Sequence, residues 1–213
     1  MSQLATVLTG DLIASTQAGP DAVNGAMTVL EGIATHEAEI SGLDVRFARF
    51  RGDGWQMYSP DAARVFRLTV LVLANLHSRP ALAQTRLAVA TGAVDALPST
   101  GLASANGEVF SISGRLLDGM TTQRLLFQDR TSSPSWKIAL FSYLNWQSSR
   151  WSSEQAEAVA LAFHYDAPNK RNVSEKLTIS RQAAEARLNG AGYGPLYDAD
   201  LAFRAQTLGG THD

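Results

Sequence analysis

Short runs that are apolar or alternate between apolar and polar residues punctuate the first two thirds of the chain, and helix-spaced stretches separate them. Residues 4–8 are an apolar run ending at Thr9-Gly10-Asp11, which predicts a buried strand. Pro20-Asp21 then opens a helix, with proline in its first turn. Along it Val23, Met27, Leu30, Ile33 and Ala34 recur every three or four positions, so one face is buried, and Ser41-Gly42 stops it. Residues 44–50 and 55–58 read as two strands around Gly52-Asp53-Gly54, whose glycines supply the positive φ of a tight hairpin turn.

Ser59-Pro60-Asp61 caps a second helix that runs to Ser78 and halts before Pro80. Residues 86–94 predict a strand, 95–106 a loop, 107–120 a third helix and 123–128 a last strand. This order predicts an α+β, ferredoxin-like fold: a mainly antiparallel sheet with helices packed on one face. After Gln128 no segment reads as a strand, and the composition shifts at a linker-like loop. The expected units are residues 1–135, a connecting helix over 136–151, and an all-α unit over 152–213.

Within that last unit residues 172–193 have the layout of a helix-turn-helix. Val173, Leu177, Ile179, Ala183 and Leu188 make its apolar contacts, and Thr178-Ile179-Ser180 makes the turn. In a DNA-reading role Ser180, Arg181, Gln182 and Arg187 would meet the duplex. Basic and acidic side chains are nearly balanced beyond Arg150, however, so little charge is left over for phosphates. A bundle used for dimer contacts is the competing reading.

The bulk numbers narrow the class. The chain has 213 residues, a formal net charge of −2 and 45% hydrophobic residues, an ordinary composition for a folded domain with no basic tail. Cysteine is absent, which removes disulfides, thiolate zinc sites and cysteine nucleophiles together. No stretch is apolar for long enough to span a bilayer, and the start lacks a signal-peptide pattern. A cytoplasmic protein without membrane contact is expected. The four histidines lack ligand spacing, no Gly-x-Ser-x-Gly elbow occurs, and GAGYG follows a helix rather than a strand. Asp198 and Asp200 are expected on a solvated face.

The candidate chemistry lies in two aspartates that each follow a glycine at a strand end, Gly10-Asp11 and Gly52-Asp53. If the fold brings them to one sheet edge, their hard oxygens suit a divalent metal. The turn after Asp11 leads toward a helix start, whose uncovered N–H groups suit phosphate.

DLIAST, followed about forty residues on by FRGDGWQMY, then RLAVATGAV and GEVFSISGRLLDGM, resembles the metal-binding frame of class III nucleotidyl cyclase domains. With the helix-turn-helix at the end, the chain resembles the SatD family, a cyclase-like domain followed by such a tail. The resemblance implies Asp11 and Asp53 as ligands of a two-metal Mg²⁺ or Mn²⁺ site, with the Leu12 carbonyl beside them. It implies that Ile13, Ala14, Ser15 and Thr16 face the phosphates and that Arg49 stands where a base-reading lysine often occurs. Arg115 would neutralise transition-state charge, and Ser111 takes the place of the helix asparagine. Ser104 falls about where an adenine-reading aspartate would be, so base choice and turnover would differ from those of the family.

A homodimer, with each Arg115 serving the partner's metals, and a nucleoside triphosphate or other nucleotide as ligand follow from the same resemblance. Three functions fit it: a nucleotide- and metal-responsive DNA-binding regulator, an active nucleotidyl cyclase, and an interaction protein that has lost its ligand.

Overall fold

The structure, a computed structural model, describes residues 4–50, 52–130, 135–165 and 170–208. Its elements follow the expected order. Strand β1 (Ala5–Leu12) leads to helix α1 (Ser15–Ser41), and the hairpin β2 (Arg46–Phe50) and β3 (Gly54–Ser59) follows. A short 3-10 turn, Ala62–Arg64, precedes α2 (Val65–His77); then come β4 (Thr85–Gly92), α3 (Glu108–Asp118) and β5 (Leu125–Gln128). The sheet order is β2-β3-β1-β4-β5. All pairings are antiparallel except the last, where β5 runs parallel to β4. The α+β class is as expected, and strands β1 to β4, in the order β2-β3-β1-β4, have the ferredoxin-like arrangement.

Local chemistry explains the boundaries. Strand β1 runs four residues beyond the apolar run that announced it, because Thr9, Gly10 and Asp11 are held in register by β3 on one side and β4 on the other. Helix α1 begins before Pro20, but Gly19 sits at φ 82° and breaks its regularity there. Gly42, at φ 66°, closes the helix by donating its N–H to the Ala38 carbonyl. The Asp61 carboxylate accepts the Ala63 N–H at 2.8 Å and so starts the next helical segment.

Alternation along β1 sends neighbouring side chains to opposite faces. Leu8 and Leu12 join Trp55, Met57, Leu87 and Val89 beneath α1 and α2. Ala5 and Val7 join Tyr58, Ala90, Val109 and Ile112 beneath α3. The expectation that the helices share one face therefore holds for α1 and α2 and is corrected for α3. Its side chains Val109 and Ile112 need an apolar partner, and the odd-numbered face of β1 supplies it.

The chain ends in helices α4 (Trp136–Ser148), α5 (Ser153–His164), α6 (Lys170–Leu177), α7 (Arg181–Gly190) and α8 (Tyr193–Leu208). They cover α2, which is apolar on nearly all sides and so needs cover on both flanks. Phe66 of α2 meets Phe141 of α4 edge-on, with centroids 5.8 Å apart, and stacks with Phe203 of α8 at 5.6 Å. These helices share one continuous apolar cluster with α1, α2 and the sheet.

The charged anchor of this layer is Glu37 of α1, which is fully buried and accepts from Arg67 Nε at 2.7 Å and Arg64 at 3.1 Å. Asp200, expected in solvent, is instead buried and pairs with Arg204 at 2.9 Å. Burial raises the Asp200 pKa above the ordinary carboxylate value, and Arg204 one turn later opposes that shift. No helix among the described residues is long and apolar enough to cross a membrane.

Candidate functional site

The register at the end of β1 decides the site. Asp11 is the Cα partner of Gly54 on β3 and of Arg86 on β4. Asp53, next to Gly54, therefore reaches the same sheet end as Asp11. The Leu12 N–H donates to the Asp53 carbonyl at 3.1 Å, which ties the hairpin turn to the end of β1. The Asp53 carboxylate Oδ2 accepts from Ser15 Oγ at 2.6 Å, linking the turn to the start of α1.

Close packing holds this register. A Cβ on Gly10 would come within 2.6 Å of the Arg86 carbonyl and of the Trp55 ring. Trp55 is fully buried and donates its indole N–H to Thr85 Oγ1 at 3.0 Å. Glycine before the first aspartate is thus required by the tryptophan after the second.

Sequence reasoning missed Arg86. Its Nε meets Asp11 Oδ1 at 2.9 Å and its NH2 meets Oδ2 at 2.5 Å, a bidentate pair that is partly exposed. These hydrogen bonds raise the Arg86 pKa above its already high ordinary value, and the charges of Asp11 and Asp53 add to the shift. Two carboxylates, Asp11 and Asp53, thus share this corner with two guanidiniums, those of Arg86 and, at the rim of the adjoining cavity, Arg49. The available signal was a lone cation opening an otherwise apolar strand.

Beside this corner Ser15, Thr16, Asn24, Arg49, Gly52 and Asp53 line an open cavity of about 420 Å³. The Ile13 N–H is taken by the Gln84 carbonyl at 2.7 Å, while Ala14, Ser15 and Thr16 stand at the free start of α1, where N–H groups have no helical acceptor. Ala14 itself adopts the left-handed conformation at φ 52°. Leu12 is buried beneath α1 and α2. Arg49 donates to the Gly52 carbonyl at 2.7 Å and to Asn24 Oδ1 at 2.8 Å, which holds it across the cavity rim.

Asp11, Asp53, Ser15, Thr16 and Arg49 are thus gathered around one corner. Ser111 and Arg115 are not: both are exposed on α3, and neither side chain makes a hydrogen bond or ion pair among the described residues. Helix α3 does run toward the same sheet end, since Thr9 donates to Ser113 at 2.8 Å and Arg86 reaches the Met120 carbonyl at 3.4 Å.

Mg²⁺ or Mn²⁺ would find hard oxygen donors here, of the kind they favour. The donor set fits one cation better than two. No group of three or more His, Asp or Glu side chains converges among the described residues, and Arg86 already occupies both Asp11 oxygens.

At the other end of the chain, α6 is followed by α7 after Thr178, Ile179 and Ser180. Ser180 caps α7 by accepting the Ala183 N–H at 3.1 Å. Arg187 pairs with Glu157 of α5 at 3.2 Å, so it is turned inward against the neighbouring helix. Arg181 and Gln182 remain exposed.

No protein-family model and no curated protein matches the chain. Among solved structures it is similar to the guanylyl cyclase Cya2, at 19% identity and a TM-score of 0.40, over 60% of this chain and 77% of that one. It is also similar to adenylate cyclases from Trypanosoma brucei in their monomeric state, at 13% identity and a TM-score of 0.43, over 59% and 73% of the two chains. A third likeness is to the adenylyl cyclase CyaB from P. aeruginosa, at 12% identity and a TM-score of 0.40, over 60% and 77% of the two chains.

Proposed function

We propose that this chain binds a nucleoside polyphosphate together with a divalent cation at the corner formed by β1, the β2–β3 turn and the start of α1. The observation that carries this reading is the pairing of Asp11 with Gly54, which brings the Asp53 carboxylate to the same sheet end. The cavity beside it, about 420 Å³, is within the range of small-ligand sites. In this reading Asp53 and Asp11 hold the cation, and the N–H groups of Ala14, Ser15 and Thr16 receive phosphate oxygens. Arg86 neutralises Asp11 until the phosphates draw it away, and Arg49 meets the base or sugar from the rim. A cation bound there supplies charge neutralisation to the phosphates.

Thermal shift with nucleoside triphosphates and Mg²⁺ or Mn²⁺ tests the reading. Wild type gains several degrees only when nucleotide and metal are both present, and Asp53→Ala gains none. Equal shifts in the two proteins would remove the site.

A second reading, nucleotidyl cyclisation, is favoured by Arg115. A permanently charged side chain, exposed and unpaired among the described residues, suits a site completed by a second copy of the chain. The 3′ oxygen would bond to the α-phosphorus while the bond to pyrophosphate breaks, and the hydroxyl proton would leave to water. Chromatography of labelled triphosphate then yields cyclic nucleotide and pyrophosphate, and Arg115→Ala abolishes both. Absence of a cyclic product with either metal leaves binding alone.

The regulator reading adds DNA contact through Arg181 and Gln182. A mobility-shift assay on promoter fragments that stays blank at low salt would remove that addition.

A further inference from the structure

A cavity larger than the one at the aspartate corner lies away from it, between α1, α2, α5 and α6, with a volume of about 590 Å³. Val29, Ile33, Leu71, Leu161 and Leu177 form the apolar part of its wall, and polar side chains line about as much of it. Cations stand among its lining residues. Among the described residues the Arg79 guanidinium donates to the neutral groups Asn75 and Ser78, and Lys176 makes no ion pair. The carboxylate in the lining, Glu157, is engaged by Arg187 at 3.2 Å.

The imidazoles of His36 and His164 also line it. They stack at 3.8 Å, with the His36 ring Nε2 2.7 Å from the His164 carbonyl, which ties α1 to the end of α5. The cavity thus has an apolar body and two cations that lack a carboxylate.

We propose that this cavity is a binding site for a small organic anion with an apolar body, its carboxylate, sulfonate or phosphate held between Arg79 and Lys176. The volume is that of ordinary small-molecule sites, and the lining joins an apolar stretch to polar and charged groups. The charge selects the sign: a cationic ligand would face Arg79 and Lys176, and an uncharged one would make no ion pair with either. Occupancy also has a structural consequence. Lys176 and Leu177 end α6, so a ligand here fastens that helix against α1 and α2. This site shares no residue with the aspartate corner and stands independently of the nucleotide reading.

Anilinonaphthalene sulfonate, an aromatic anion whose fluorescence rises in apolar surroundings, is a suitable probe for the full chain. Wild type should give a saturable one-to-one titration. The Arg79→Gln/Lys176→Gln double variant should bind about tenfold more weakly, as expected for losing two modest charge interactions. Gly32→Leu should abolish binding from the opposite wall: Gly32 lines the cavity, and a Cβ there meets no atom within 4 Å, so the new side chain enters open space.

Circular dichroism and the unfolding midpoint establish that each variant is folded. If Gly32→Leu does not fold, the double variant decides alone, since both of its side chains are exposed. Absence of saturable binding to wild type overturns the proposal. So does undiminished binding by the double variant or by folded Gly32→Leu.

Discussion

Arg86 and Asp11 face one another on paired strands, and two guanidinium nitrogens meet both carboxylate oxygens at 2.9 and 2.5 Å. The pair sits at the sheet end that also receives Asp53, so the site's charge is set by a cation as much as by the acids. A metal entering this corner competes with a partner already in place. A phosphate entering it gains a donor that the acids alone would not supply.

Arg86→Met should therefore raise affinity for Mn²⁺ alone and weaken binding of the metal–nucleotide complex. Its stability cost should stay within about 1 kcal/mol, since the pair is partly exposed. Calorimetric titration of Mn²⁺ with and without nucleotide measures both effects, and a loss of Mn²⁺ affinity would contradict the competition.

The Glu37–Arg67 pair behaves differently because both side chains are fully buried. Glu37→Gln strands Arg67 in the interior and should cost about 3–5 kcal/mol in urea unfolding. Replacing Glu37 and Arg67 together by leucine should recover part of that loss. A single-variant cost below about 1 kcal/mol would mean that water reaches the pair.

Gly10→Ala tests the close approach beneath the site. The added methyl meets backbone on one side and the Trp55 ring on the other, neither of which can move freely. A loss of about 1–3 kcal/mol is expected, with β1 shifted against β3. Asp53-dependent metal binding should fall with it, and a fully stable variant would show that the strands can slide.

Protonation of His164 gives a pH dependence. Burial lowers its pKa, and the nearby His36, Arg67 and Lys176 add to the shift, while Glu37 opposes it. The folded protein thus favours neutral imidazole relative to the unfolded chain. Its contribution is full above the unfolded value of about 6.5 and is lost as pH falls from there through the lower folded value. Urea midpoints should decline over that window in wild type and decline less in His164→Gln. The effect should be small, because the ring is partly solvated, and a flat wild-type profile would count against it.

Much of the scaffold was legible from local pattern. The Gly52-Asp53-Gly54 turn, the Gly42 stop and the Ser180 cap depend on a few adjacent residues, and each appears where its chemistry predicts. Arg86 was passed over because nothing within β4 distinguishes a strand-opening arginine in solvent from one opposite an acid. Arg187 read as a candidate DNA contact because its partner Glu157 lies thirty residues away on another helix.

The amino-acid order by itself determined the succession of strands and helices, the hairpin turn and the two candidate acids, since periodicity and turn chemistry act within a few residues. Only the tertiary structure decided that α3 covers the face opposite α1 and α2, that Arg86 closes on Asp11, and that a cavity opens between the helical layers. Those outcomes depend on strand register and helix packing between distant segments. A shift of one residue in the register of β1 would send each of its side chains to the other face.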